Sequence, residues 1–195
     1  MSKVELIRQL RERTGAGILE CKKALEQAEE DLDQAERILR VKGKQIAGEK
    51  ASRSTRQGLI DSYVHQGKIG VLVEVNCETD FVARTEQFKN FVHELCLHIA
   101  HSNPRFVRRE DVPPEEIGKE LELLHEEIAG ADDESSQSMQ QAHMERFYRE
   151  RVLLDQAYVR DPSKTIQDLL HETIHSTREN IVIQRFVRIV LGDSQ

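Results

Sequence analysis

GLIDSYVHQGKIGVLVEVNCETDFVAR, residues 58–84, changes its hydrophobic period within one short span. Ile69, Val71, Val73 and Val75 alternate with Gly70, Leu72, Glu74 and Asn76, the period of two expected of a strand with one buried face. Gln66-Gly67-Lys68 has the composition of a tight turn, and the apolar and aromatic residues of 58–65 supply the strand before it. Beyond the loop Cys77-Glu78-Thr79-Asp80-Phe81 the period becomes helical. Phe88, Phe91, Val92, Leu95 and Ile99 share one face until Asn103-Pro104 ends the run. A hairpin that feeds an amphipathic helix predicts an α+β core, with helices covering an antiparallel sheet.

Downstream, Pro113-Pro114 opens a helical stretch in which residues 115–134 carry nine acids against one Lys. The reading is a solvated helix face; a docking surface for a basic partner is the alternative. A second amphipathic helix is expected over 136–150 and another over 164–176. A final strand follows, with Ile181, Ile183, Val187, Ile189 and Leu191 pointing one way, and it can join the hairpin's sheet. Upstream, Val4, Ile7 and Leu10 mark a first helix, broken by Thr14-Gly15-Ala16-Gly17. Ile18, Cys21, Leu25 and Ala28 mark a second, and Leu32, Ala35 and Leu39 a third, capped by Asp31 or Asp33 and stopped at Gly43. The organisation expected is a three-helix module over 1–45, a linker over 46–57 and an α+β core over 58–195.

Composition narrows the function classes. The chain has 195 residues, 32% of them charged, with no Trp and a net charge of -7. No apolar run approaches the roughly 18 residues of a spanning helix, so no membrane role is expected. MSKVELIRQL carries charge in every turn, unlike a secretory signal. Cys21, Cys77 and Cys96 are an odd set without CxxC spacing, which points to reduced thiols in a cytoplasmic protein. Residues 1–56 hold 13 Lys and Arg against 10 Asp and Glu, and the rest of the chain is net negative. The basic run Arg40–Arg56 lacks interleaved aromatics, so a solvated helix end is favoured over a nucleic-acid arm.

Three places hold candidate chemistry. His171-Glu172-Thr173-Ile174-His175 matches H-E-x-x-H, whose histidines share a helix face and can hold zinc with the Glu as general base. The pattern lacks a third ligand at a useful distance, since Thr177–Asn180 begins a strand, so a zinc peptidase through His171, Glu172 and His175 stands as the alternative function. His98 and His101 form a weaker pair with no nearby carboxylate to complete a site. No phosphate-binding glycine loop or nucleophile elbow is present, so no cofactor or metal is expected. The third place, Thr79-Asp80-Phe81-Val82, sets a large ring beside a carboxylate at a strand-to-helix junction. Two readings stand: Thr79 or Asp80 caps the helix and Phe81 packs back as a staple, which spacing alone favours, or Phe81 is an exposed anchor.

LRERTGAGILECKKAL (10–25), residues 58–84 and ENIVIQRF (179–186) together resemble the short-form members of the bacterial elongation factor Ts family, over nearly the whole chain. The resemblance implies a ubiquitin-associated-like three-helix module over 1–45. It implies a non-enzymatic role as guanine-nucleotide exchange factor for elongation factor Tu. In the family a Thr-Asp-Phe-Val element, here Thr79, Asp80, Phe81 and Val82, wedges into the partner's GTPase domain and disturbs its Mg²⁺ site. The N-terminal module touches the same domain through residues matching Ile18 and Leu19, with Lys22 close by. His65 matches a further interface histidine. Short members associate in pairs, which implies a homodimer, with no direct nucleic-acid contact. One departure is visible: Thr177-Arg178 precede Glu179 where the family has Ile-Gly, so a contact through that pair is not carried over.

Overall fold

The computed structural model describes residues 2–127 and 133–193; side chains at 125–127 and 133–135 are also outside the description. Residues 128–132 of the acidic run and residues 194–195 of the expected core therefore lie outside the described residues.

The chain opens with α1 (Lys3–Thr14), α2 (Ile18–Gln27) and α3 (Leu32–Lys50). Ser2 Oγ accepts from the Glu5 amide at 3.3 Å, and Asp31 caps α3 through the Gln34 amide at 2.9 Å. Gly15, at φ 66°, ends α1 in the left-handed region that a glycine enters without steric cost. The three helices enclose Leu6, Leu10, Cys21, Leu25, Ala35 and Leu39. The buried face of α1 is thus Leu6 and Leu10, an i,i+4 pair, and Val4, expected inside, is exposed.

α3 does not stop at Gly43. It runs to Lys50, and Ile46 and Ala47 join the main core. Residues 46–57, expected as a linker, therefore divide: 46–50 complete a packed helix and 51–56 connect it to the sheet. Gly43 lies against the later helix α8 (Ile166–Thr177), where an added Cβ would sit 3.5 Å from the His171 carbonyl oxygen. Its job is close helix approach rather than termination.

The main sheet has the order β1 (Gln57–His65), β2 (Ile69–Cys77), β5 (Ile181–Val190), antiparallel throughout. The β1–β2 turn puts Gln66 and Gly67 at positive φ, 49° and 67°, which matches the twist of the paired strands. Val71, Val73 and Val75 face inward onto Phe88, Phe91, Val92, Leu95 and Ile99 of α5 (Glu86–Ser102) and onto Ile166, Leu170 and Ile174 of α8. The α+β architecture follows, with helices on one face of the sheet.

One strand breaks the expected alternation. Glu74 pairs with Arg185 but Val75 with Ile183, so Gln184 is an extra residue in β5. A bulge reverses the inside–outside phase of everything beyond it. Ile181 and Ile183 are buried, whereas Val187 and Ile189 are 50% and 60% exposed. The five residues expected on one face are thus split between two. Leu72, Ile60 and Val64 complete an apolar outer face on the uncovered side of the sheet.

The remaining elements are α4 (Asp80–Ala83), α6 (Pro114–Glu127), α7 (Asp133–Arg151) and a small hairpin of β3 (Ala157–Tyr158) and β4 (Asp161–Thr165). His143 on α7 meets Glu120 on α6 at 2.7 Å, and Phe147 packs with Val112 and Val152 beneath them. Among the described residues, no helix is long and apolar enough to cross a membrane.

Candidate functional site

β2 ends at Cys77, and the next residues turn a corner into the single-turn helix α4. Thr79 is extended, at φ -126°, and its Oγ1 accepts from the Val82 amide at 3.4 Å, the geometry of an N-cap. Thr85 then caps α5 through the Phe88 amide at 3.2 Å. Within α4, Val82 and Ala83 turn inward against the core. Phe81, about 100° away around the helix, points out and is 80% exposed. The ring is exposed; the packed staple that spacing favoured is not what forms. Asp80 pairs with Arg84 at 2.8 Å.

The corner is fastened from the far end of the chain. Glu179 Oε2 accepts from the Glu78 and Thr79 amides at 3.1 and 3.0 Å, and Oε1 from the Thr79 hydroxyl at 2.5 Å. The Asn180 amide donates to Glu78 Oε1 at 2.6 Å. Such charge-assisted bonds to backbone amides are the strong kind. Cys77 donates its thiol to the Thr79 carbonyl at 3.1 Å. Burial and the Glu179 carboxylate push that thiol up to about 11, so it stays protonated and is a poor nucleophile.

A second exposed apolar pair stands nearby. Ile18 and Leu19, in the first turn of α2, are 56% and 73% exposed, and Lys22 is exposed on the next turn. The Gly15–Gly17 turn before them lies against the start of α5, where a Cβ on Gly15 would meet Gln87 Nε2 at 3.3 Å. Gln87 in turn bonds Ser176 on α8. The structure therefore brings residues 18, 19 and 79–82 to one end of the molecule. His65 is not among them. It ends β1, eight residues from Gln57, which pairs with Cys77. At about 3.3 Å per residue that is roughly 26 Å from the corner. His65 is exposed and shares a 2.9 Å hydrogen bond with the Tyr63 hydroxyl.

The seam between module and core is ionic. Glu20 meets Lys42 at 2.7 Å, Arg178 at 2.7 Å and His175 at 3.1 Å. Burial alone would raise its carboxyl, but the hydrogen bonds from Lys42 and Arg178, with His175 beside them, outweigh it and hold it at about 2. Lys164, almost fully buried, bridges Glu36 and Glu172 at 3.4 and 2.9 Å. These pairings account for the H-E-x-x-H match. Glu172 is tied to Lys164, and His175 Nε2 lies 3.1 Å from Glu20, so both side chains face groups other than His171. Among the described residues, no group of three His, Cys, Asp or Glu is arranged to hold a metal. The zinc-peptidase alternative is set aside on that geometry.

Sequence reasoning did not assign roles to Glu20, Glu179 or Asn180. No local signal marks them, because most of their partners lie a hundred or more positions away in the chain.

Fold and corner together define an α+β scaffold that presents apolar side chains from two braced turns at one end. A family model described as "Elongation factor TS" matches residues 15–193. Elongation factor Ts of Thermoanaerobacter sp. (strain X514) is 50% identical over 196 residues, covering 99% of this chain and 96% of the relative. That of Coprothermobacter proteolyticus is 51% identical over 191 residues, covering 96% and 97%. That of Thermotoga neapolitana is 47% identical over 191 residues, covering 97% of each. The chain belongs to the elongation factor Ts family. It is accordingly a translation elongation factor, with a place in protein biosynthesis.

Proposed function

We propose that this chain is a guanine-nucleotide exchange factor that binds elongation factor Tu in the cytoplasm and promotes release of GDP without catalysing a covalent step. The observation that carries the reading is Phe81, a large ring held out in solvent on a corner that the rest of the chain fastens. Bound nucleotide is held largely through its phosphates and the Mg²⁺ that bridges them. A ring wedged beside that ion favours the open, nucleotide-poor state of the partner. By linkage, nucleotide then weakens the factor in equal measure.

Swinging a two-state site from 1:99 to 99:1 takes about 5.5 kcal/mol of differential affinity. Burying one Phe contributes roughly 1.5–3 kcal/mol. Further contacts must supply the rest, and Ile18 and Leu19, with Lys22 beside them, are displayed at the same end. His65 enters as a separate contact, since one chain cannot bring it to the corner. A homodimer is part of the proposal. It is supported by the outer sheet face, where Leu72, Val187 and Ile189 lie side by side on β2 and β5 and a second copy laid face to face would cover them.

The test is release of labelled GDP from elongation factor Tu. The parent chain accelerates it and Phe81→Ala loses most of the acceleration. Release at the parental rate with Phe81→Ala rules the wedge out.

A further inference from the structure

The three residues after α8 each reach a different part of the chain. Arg178 closes α8 in the left-handed region, at φ 62°, and sends its guanidinium to Glu20, the residue following the exposed pair Ile18 and Leu19. Glu179 holds both amides and the hydroxyl of the 78–79 corner. Asn180, buried, donates from Nδ2 to the carbonyl oxygens of Arg53 at 2.8 Å and Ala51 at 3.4 Å, tying down the connection between α3 and β1. One short segment is thus bonded to both displayed apolar elements and to the chain between them.

We infer that Arg178–Asn180 is a strut that sets the spacing and angle between residues 18–19 and residues 79–82, with Arg178 and Glu179 as positioning residues for nucleotide exchange. The inference rests on the proposed exchange activity and adds the device that makes two separate contacts act as one rigid tool. Rigidity matters because a mobile corner must be ordered on binding, and that ordering subtracts from the interaction. Functional side chains need to be held to about 0.5 Å by a supporting shell. Neither Arg178 nor Glu179 is part of the hydrophobic core. What they contribute is direction.

The geometry distinguishes two substitutions at one position. Glu179→Ala removes three acceptor contacts. Glu179→Gln keeps them in altered form: its amide oxygen can replace Oε2 toward both amides, and its NH₂ can donate to Thr79 Oγ1. The experiment has two arms. In the first, 4-fluorophenylalanine replaces Phe81 in the free factor and its ¹⁹F line is recorded. Glu179→Ala narrows the line as the ring is freed, and Glu179→Gln restores the parental width. An unchanged line in Glu179→Ala overturns the strut whatever the partner does.

In the second arm, GDP release from elongation factor Tu is titrated with factor. Glu179→Ala lowers the maximal rate at least tenfold while half-saturation moves less than threefold. Glu179→Gln stays within threefold of the parent on both. The opposite split, affinity lost and maximal rate kept, identifies Glu179 as a contact residue and overturns the inference. Glu20→Gln, Arg178→Gly and their double variant close a cycle: the double loses no more than Glu20→Gln alone, and additive losses refute the tie. Phe81→Ala, run in parallel, separates the two ideas. If it keeps full stimulation the wedge fails, while the fluorine arm still judges the strut; if the parent chain itself gives no stimulation, the exchange reading fails.

Discussion

Phe81→Ala removes a ring that touches little in the free molecule, and the structure sets both sides of its effect. The ring is 80% exposed, so truncation forfeits almost no packing. Surface changes of this kind stay within about 0.5 kcal/mol. For a chain of this size one kcal/mol moves the melting temperature by about 2–4 °C, so the expected shift is about 2 °C or less. The same exposure leaves nearly the whole ring available to a partner. Full burial of a Phe is worth about 1.5–3 kcal/mol, and each 1.4 kcal/mol is a factor of ten. Stimulated GDP release should therefore fall about ten- to 150-fold. Stopped-flow release of fluorescent GDP at saturating factor measures the rate, and calorimetry the melting point. A fall in melting temperature beyond about 5 °C would refute the reasoning from the other direction, since it would mean that the ring supports the fold.

Glu20 predicts an acid-sensitive seam. Its carboxyl is held at about 2 against an ordinary 4.5, so its stabilising effect is complete above 4.5 and fades as pH falls toward 2. Urea midpoints of parent and Glu20→Gln should converge over that window; a constant gap contradicts the assignment. Gly58→Ala should lower the melting temperature by many degrees, because a Cβ there would stand 2.2 Å from the Val75 carbonyl oxygen, backbone that has no room to give. An unchanged melting point would show that the strand pairing relaxes freely. Leu72→Asp and Val187→Asp each put a carboxylate on the outer sheet face, and sedimentation should report the proposed dimer for the parent and a monomer for each variant. Equal masses for parent and variants would show that this face is not the interface.

Much of the fold was legible because it is local. The period-two run at 69–75, the turn at 66–68 and the helical spacing from Phe88 to Ile99 need no distant partner, and each forms where its pattern places it. Three features were not legible. Gln184 carries no mark of a bulge, because the register of β5 is chosen by which residues of β2 it meets. Gly43 reads as a stop until α8 is laid against it. The small hairpin of β3 and β4 is too short and too polar at Asp161-Pro162-Ser163 to announce itself.

The candidate site divides along the same line. Order along the chain was enough to single out Thr79–Val82, since a cap, a ring and a carboxylate at a strand-to-helix junction are adjacent residues. It was not enough for Ile18, which spacing grouped with Cys21, Leu25 and Ala28 on the apolar side of α2 and which is exposed in the structure. Whether Phe81 faced in or out was not written there, since both arrangements satisfy the same spacing. Val82 takes the inward place and leaves the ring in solvent because Glu179 and Asn180 fix the angle of the corner, about a hundred residues later in the chain. Neighbouring residues dictate which turns and helices form. Directions between elements depend on bonds that exist only once distant segments have met.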